Sequence, residues 1–190
     1  MLMAPGAHLV LSWLLANGAR DRIADRRIIA LAGLLPDLDG AGLLIDVWQG
    51  QSIGYYQLWH HRLGHNLFCL VPILLVALGW TRSWRCAALA AAAFLLHLGA
   101  DAIGSGSPDG VWPLYWLWPV SGHDLAPAWQ WPLNHAINVG IFGLSLVAVV
   151  LVARRHGRTP IEVFSQRADR YVLATLQGMI ARWRAPRETT

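Results

Sequence analysis

The chain has 190 residues, 55% of them hydrophobic and only 14% charged. That balance excludes an ordinary water-soluble domain and points to a bundle of membrane helices. The net charge of +4 rests on arginine alone, with no lysine; in so apolar a chain it reads as charge on the cytoplasmic side of a membrane, not as a nucleic-acid surface.

Residues 7–17 (AHLVLSWLLAN) predict an apolar helix ending at Asn17-Gly18, too short to span alone at ~1.5 Å per residue. The charged ARDRIADRR follows, then a second short apolar run, IIALAGLL. Pro36 closes it, because the residue before a proline is disfavoured in helix. The PDLDG turn carries Asp37 and Asp39. In an extended backbone the two point the same way; alternatively Asp39 is only the N-cap of a helix beginning near Gly40. Residues 41–58 predict a short helix and an interfacial loop.

HHRLGHN leads into an apolar helix over 66–80, with a tolerable Pro72. At the start of a helix, His61 and His65 share a face and His60 looks elsewhere. A basic turn (Arg82, Arg85) reverses the chain, and residues 86–100 return across the bilayer to deliver His97 and Asp101, also four apart. Next comes a long Gly/Pro/Trp stretch holding Trp112, Trp116, Trp118, Trp129 and Trp131. It has too many aromatics for disorder and predicts a lid or interfacial cap. Residues 136–153 are the cleanest spanning helix, followed by RRHGR. Beyond Pro160, apolar residues from Ile161 to Trp183 recur at helical spacing between arginines. That pattern predicts a basic amphipathic helix lying on the anionic cytoplasmic leaflet, or else binding a partner.

The expected architecture is all-α, a polytopic membrane bundle with short or re-entrant helices and a Trp-rich extracytoplasmic loop. It divides into a membrane-embedded part (1–158) and a cytoplasmic tail (159–190). Many of the eleven tryptophans fall near the ends of apolar runs, as in interfacial belts. Cys69 and Cys86 fall near opposite faces of a hairpin and predict no disulfide. No charged segment or cleavage site marks the first apolar stretch as a removable signal peptide.

Threading the chain as alternating passes sorts its charges. Arg20 to Arg27, Arg82, Arg85 and everything from Arg154 onward fall on one side. His8, Asp37, Asp39, His60, His61, His65, Asp101, Asp109, Asp124 and Asn138 fall on the other, with Arg62 the only arginine among them. By the positive-inside rule the arginine side is cytoplasmic, so the histidines and aspartates face the periplasm or exterior. Buried imidazoles and carboxylates are costly unless something offsets them, and a shared metal ion would do so. The bland reading of His97 and Asp101 is a structural hydrogen-bonded pair between packed helices.

The order His8, GLLPDLD, HHRLGHN, then HLGADAIGSGSPDG with WPLYWLWP resembles the YdjM-like family of LexA-regulated inner-membrane proteins, regarded as metal-dependent hydrolases. The resemblance covers about residues 5–140 and leaves out the arginine-rich tail. It implies metal and active-site roles for His8, Asp37, Asp39, His61, His65, His97 and Asp101. Where many members end this histidine motif in Thr/Ser-His-Ser, this chain has LGHN, which leaves either His60 or His61 as the ligand.

Imidazoles with carboxylates suit Zn²⁺ best, with Mn²⁺ or Fe²⁺ as alternatives. So many ligands would serve two ions economically, with a bridging carboxylate such as Asp37 or Asp101. Such a site activates water against an ester or phosphoester. An aspartate off the metal, Asp39, would be the general base, and Arg62 would hold a phosphate. The expectation is a membrane-bound hydrolase of a lipid-linked or headgroup ester, with membrane lipids as partners and no nucleic acid. The competing classes are ion handling, haem binding and a non-catalytic scaffold. Bare spanning helices count against the first and the aspartates against the second.

Overall fold

The computed structural model describes residues 5–50, 54–107 and 110–184, with side chains described as far as residue 179. Among them the regular elements are all helical: α1 (Pro5–Ala19), α2 (Ile23–Leu34), a 3₁₀ turn (Pro36–Ala41), α3 (Gly42–Trp48), α4 (Tyr55–Trp59), a 3₁₀ turn (Leu67–Cys69), α5 (Leu70–Thr81), α6 (Trp84–Gly104), α7 (Ala136–His156), a 3₁₀ turn (Pro160–Val163) and α8 (Gln166–Arg184). Helix α2 stops two residues short of Pro36, as the proline dictates. Ser83 starts α6 by accepting the Cys86 N–H, a side-chain cap of the usual kind. Pro72 lies in the first turn of α5, where its missing N–H breaks no helical bond.

Helices α6 and α7, 21 residues each, are long and apolar enough to cross a membrane. The pair formed by α2 and Pro36–Trp48 passes the same test as one broken span, bent by 56°. The α5 segment, Leu67–Thr81, is a shorter apolar helix.

Helix α6 is the centre of the packing and touches α1, α2 and α5. Its buried stripe is Cys86, Ala87, Ala90, Ala93, Phe94, His97, Leu98 and Asp101. Small residues at this spacing let helix backbones approach closely, as membrane bundles require. Gly33 of α2 shows how closely: a Cβ there would lie 1.8 Å from Ser12 Oγ of α1. Helix α7, by contrast, packs mainly on α1 and leaves Leu144, Val147 and Leu151 exposed for lipid.

Charges sort to the two ends of this bundle. At one end Arg26 of α2 pairs with Glu162 through two 2.6 Å contacts, and Trp13 Nε1 adds a 2.9 Å bond to the same carboxylate. Arg20 pairs with Asp25 there, and Arg158 reaches Asn17 Oδ1 at 2.9 Å. The histidines and aspartates gather at the other end of α1, α2 and α6.

Candidate metal centre

Four segments deliver side chains to that second end. His8 comes from α1, Asp37 and Asp39 from the 3₁₀ turn after α2, His60, His61 and His65 from the loop after α4, and His97 and Asp101 from α6. His8, His61, His65, His97 and Asp101 are each at most 3% exposed. Three sets bring ligand atoms within 4.8 Å of one another: His60, His61 and His65; His8, His97 and Asp101; Asp37, His65 and His97.

The loop geometry departs from the expected helix start. Residues 60–66 form an irregular turn, with His61 at φ 66°, a left-handed conformation rare outside glycine. This turn, and not a helix face, brings all three histidines inward, His60 included. Gly64 permits it. A Cβ at Gly64 would meet the Pro36 carbonyl oxygen at 2.4 Å, so only glycine lets the histidine loop lie on the PDLD turn.

Asp39 is no helix cap, since α3 starts without a side-chain cap bond. Its two oxygens instead face two rings: Oδ1 is 2.7 Å from His60 Nδ1, and Oδ2 is 2.9 Å from His65 Nδ1 while also accepting the Gly64 N–H at 3.0 Å. Asp37 faces the cluster from the other side of the turn, its Oδ1 3.7 Å from His97 Nε2. Its Oδ2 is buried with no donor.

The tautomers follow from these partners. His97 Nδ1 lies 2.7 Å from the Gly33 carbonyl and His61 Nδ1 3.2 Å from the Pro113 carbonyl. A carbonyl only accepts, so both Nδ1 atoms carry hydrogen and both Nε2 atoms present lone pairs. The Asp39 carboxylate fixes His60 and His65 in the same way. Four rings are thus held at Nδ1 by protein acceptors, the usual second-sphere arrangement of metal-binding histidines.

What the Nε2 atoms face is the chemical signature. His65 Nε2 and His97 Nε2 are 3.1 Å apart, and Asp101 Oδ2 is 3.2 Å from the first and 3.0 Å from the second. His8 stacks on His97 with ring centroids 3.7 Å apart. Its Nε2 is 3.2 Å from Asp101 Oδ1, but at an angle that leaves it without a hydrogen bond. Lone pairs this close repel unless a cation or proton lies among them. Ligand atoms about 2.0–2.1 Å from a zinc ion stand roughly 3.3 Å apart along a tetrahedral edge, close to the spacings seen here. The donor set, the tautomers and the two orphaned atoms (His8 Nε2, Asp37 Oδ2) all fit a divalent metal.

Electrostatics in the histidine loop point the same way. Burial, reinforced by the charge of neighbouring His65, pushes His61 down to about 3, leaving it neutral as a ligand must be. Burial alone would also lower His65, but its hydrogen bonds to Asp101 and Asp39 outweigh that and lift it to about 9. The carboxylates around this ring thus favour positive charge there, for which a proton and a metal ion compete.

Beside the cluster lies a cavity of about 330 Å³, with Asp37, His60, His61 and Asp101 on its polar side and Leu43, Tyr56, Trp112 and Leu133 on its apolar side. Arg62 is not among the residues lining it. Its guanidinium lies over the Tyr115 ring, 4.4 Å from the centroid, and bonds the Leu58 carbonyl.

The Trp-rich stretch packs directly on the histidines. Trp112 stands 5.4 Å from His60 and 5.0 Å from His61 by ring centroids, and Tyr115 N–H donates to the His61 carbonyl. Gln130, which no sequence pattern singled out, ties the stretch to the end of α6. It accepts the Trp112 N–H at 2.7 Å and donates to the Asp101 carbonyl at 3.0 Å. Tyr56, stacked on His60 at 4.7 Å, was also missed, because a lone tyrosine in a loop carries no signal. Asn138 is structural: it bonds the Gly104 and Leu133 carbonyls and accepts from Trp131. Asp124 is exposed, away from the cluster, and Asp109 lies outside the described residues.

Fold and site together define a polytopic membrane protein with a buried histidine–aspartate cluster of metal-binding type. The family model of the YdjM inner membrane protein matches residues 3–181, and the chain belongs to that family. The match runs well past residue 140, where the recognisable motifs end, and takes in most of α8. No curated protein matches the chain, and no solved structure does.

Proposed function

We propose that this protein is a metal-dependent hydrolase embedded in the inner membrane, acting on a lipid-linked or headgroup ester, most readily a phosphoester. The carrying observation is the set of four imidazoles with Nδ1 tied back, two of which, His65 and His97, turn Nε2 onto the Asp101 carboxylate beside an open cavity. Structural zinc sites are closed, whereas catalytic ones keep a position open to substrate; the cavity along Asp37, His61 and Asp101 supports the second kind.

His8, His61, His65, His97 and Asp101 would hold the metal, Zn²⁺ by donor type, with Mn²⁺ or Fe²⁺ as alternatives, and His60 extends the set toward a second ion. When bound, the ion supplies Lewis-acid charge that lowers the pKa of a water and polarises the ester. The chain's own groups do the rest. Asp39 holds two rings in one tautomer and has no oxygen free to accept a substrate proton. That duty falls to Asp37, whose Oδ2 is unpartnered and whose carboxylate lines the cavity. Arg62, turned onto Tyr115, contributes by bracing the histidine loop. Tyr56, Trp112, Leu43 and Leu133 offer the apolar surface against which a lipid-like substrate would lie.

By the positive-inside rule the arginine end is cytoplasmic, which puts the cluster at the periplasmic face and the C-terminus in the cytoplasm. Single cysteines at Ser121 and Arg158, in a Cys69→Ser background, should react with an impermeant thiol reagent from opposite sides of the membrane. Reaction of both from the same side would overturn this topology. The function is tested by metal analysis of detergent-purified protein, followed by turnover of long-chain phospholipids or polyprenyl phosphates against soluble phosphoesters. Metal-dependent turnover of the lipid substrates is expected, with poor turnover of soluble esters. Bound metal without turnover of either would favour a non-catalytic metal-binding role.

A further inference from the structure

The segment after the last span is fixed to the bundle. Helix α7 ends at Gly157, and nine residues later α8 begins. Between them Thr159 caps the 3₁₀ turn by accepting the Ile161 N–H, and its own backbone N–H donates to Asp169 Oδ1 of α8 at 2.9 Å. Glu162 is locked onto Arg26 and Trp13, and Val163 sits in a core cluster with Trp13 and Ala30. Three separate anchors thus set where α8 starts: at the arginine end of the bundle, within a few residues of the end of a membrane-length helix. A span of this kind ends at the membrane interface, so α8 begins there.

Helix α8 has one acidic residue, Asp169, which is buried and engaged by Thr159. Taken at 100° per residue, Ala168, Val172, Leu176 and Met179 fall on one face, and Arg167, Arg170, Ala174 and Gln177 fall on the opposite one. The apolar face is uncovered at Met179 (54% exposed), Val172 (37%) and, just before the helix, Phe164 (60%), whereas Leu176 is half-buried along a small cleft with Val150 and Ala153 of α7. Further arginines at 154, 155, 158, 182 and 184 lie at or near this end in the sequence. An exposed apolar stripe flanked by arginines and no free carboxylate complements an anionic bilayer surface in both charge and polarity.

We propose that α8 lies on the leaflet bordering the arginine end, with Val172 and Met179 in the acyl boundary and Arg167 and Arg170 among anionic headgroups. It thereby holds the bundle at a defined depth in the bilayer. The occupant of this face is lipid, and its preference is for anionic over zwitterionic headgroups. At about 1 kcal/mol per arginine near such a surface, each arginine removed should cut that preference roughly five-fold.

The test uses full-length protein with Cys69→Ser, in nanodiscs of phosphatidylcholine with or without phosphatidylglycerol. Single cysteines at Val172, Met179, Arg170 or Gln177 carry a spin label, and collision with oxygen is compared with collision with a water-soluble nickel reagent. Oxygen should dominate at 172 and 179, and nickel at 170 and 177, with the contrast deepening when phosphatidylglycerol is present. Substituting Arg167→Gln and Arg170→Gln together should remove most of the phosphatidylglycerol dependence while residue 179 stays in the apolar phase. Equal nickel access at all four positions in both lipids would overturn the proposal. Dipolar broadening between labels at 179 on different copies would overturn it in favour of a second chain covering the face. A contrast unaffected by phosphatidylglycerol would refute the anionic preference.

Discussion

Asp39 is where the structure departs most from the role its sequence position implies, and its replacement tests the centre most directly. In Asp39→Asn the side chain keeps its shape but one oxygen becomes an NH₂ donor. Whichever way the amide turns, one of His60 Nδ1 (2.7 Å) and His65 Nδ1 (2.9 Å) then faces a donor. That ring must shed its Nδ1 hydrogen and place it on Nε2, the nitrogen needed for a metal. Loss of one such second-sphere partner costs 10–100-fold in metal affinity. Because Asp39 serves two rings and accepts from Gly64 as well, we expect the upper end, about 100-fold or close to 3 kcal/mol. The assay is chelator competition on detergent-solubilised protein, with helicity and gel-filtration behaviour as fold controls. Unchanged affinity would refute the orienting role. A loss as complete as that of His97→Ala would instead make Asp39 a direct ligand.

His97→Ala and Asp101→Ala should each abolish stoichiometric metal while the protein still inserts, whereas His156→Ala, at the far end of α7, should not; elemental analysis of the three variants separates them, and equal metal in all would return His97 and Asp101 to a structural pair. Gly64→Ala should both destabilise the fold, by about 1–3 kcal/mol from overpacking, and lower metal occupancy. The new methyl would press on the Pro36 carbonyl at 2.4 Å, which thermal unfolding with and without added metal would reveal. At the arginine end, Arg26→Ala should cost about 3–5 kcal/mol by leaving Glu162 buried without its cation, read from unfolding in mixed detergent micelles. Burial raises Glu162, but its bonds from Arg26 and Trp13 outweigh that and hold it below the ordinary glutamate range. The stability it contributes is therefore present above the ordinary glutamate pKa and lost as pH falls through the lowered one. Glu162→Gln should flatten that acid limb, and an acid limb of unchanged steepness would discount the pair.

Much of this architecture is legible because hydrophobic length and proline position act locally. The span over 136–153 became α7, the return helix over 86–100 became α6, and Pro36 ended α2. The Ser83 cap that starts α6 sits in the basic turn that reverses the chain. The histidine loop was not legible, because its shape depends on a non-local fit. His61 takes a left-handed backbone, held by Tyr115 N–H on its carbonyl and by the Pro113 carbonyl on its ring, some fifty residues away. Periodicity cannot report that, so His60 looked misdirected. The division of labour between Asp37 and Asp39 was hidden for a related reason. A 3₁₀ turn places them at different angles from the cluster, whereas a period-2 reading placed them together. Gln130 stayed invisible because its five polar contacts are made to backbone and a serine far from it in sequence.

The two charged ends of the bundle obey opposite electrostatic logic. At the arginine end two buried carboxylates each have a guanidinium, Arg26 on Glu162 and Arg20 on Asp25, while Asp169 is held by Thr159. At the other end Asp37, Asp39 and Asp101 converge with no arginine among them, since Arg62 turns to Tyr115. Two carboxylates about 5 Å apart repel by roughly 3 kcal/mol at an effective dielectric near 20, and neutral imidazoles do not cancel that. One protonated histidine offsets only part of it. A divalent cation does so fully, and its ligands here are already held in the tautomer it requires. Sequestering arginine at one end for topology leaves the opposite end short of positive charge, and that shortage is the electrostatic ground on which we propose a metal ion there.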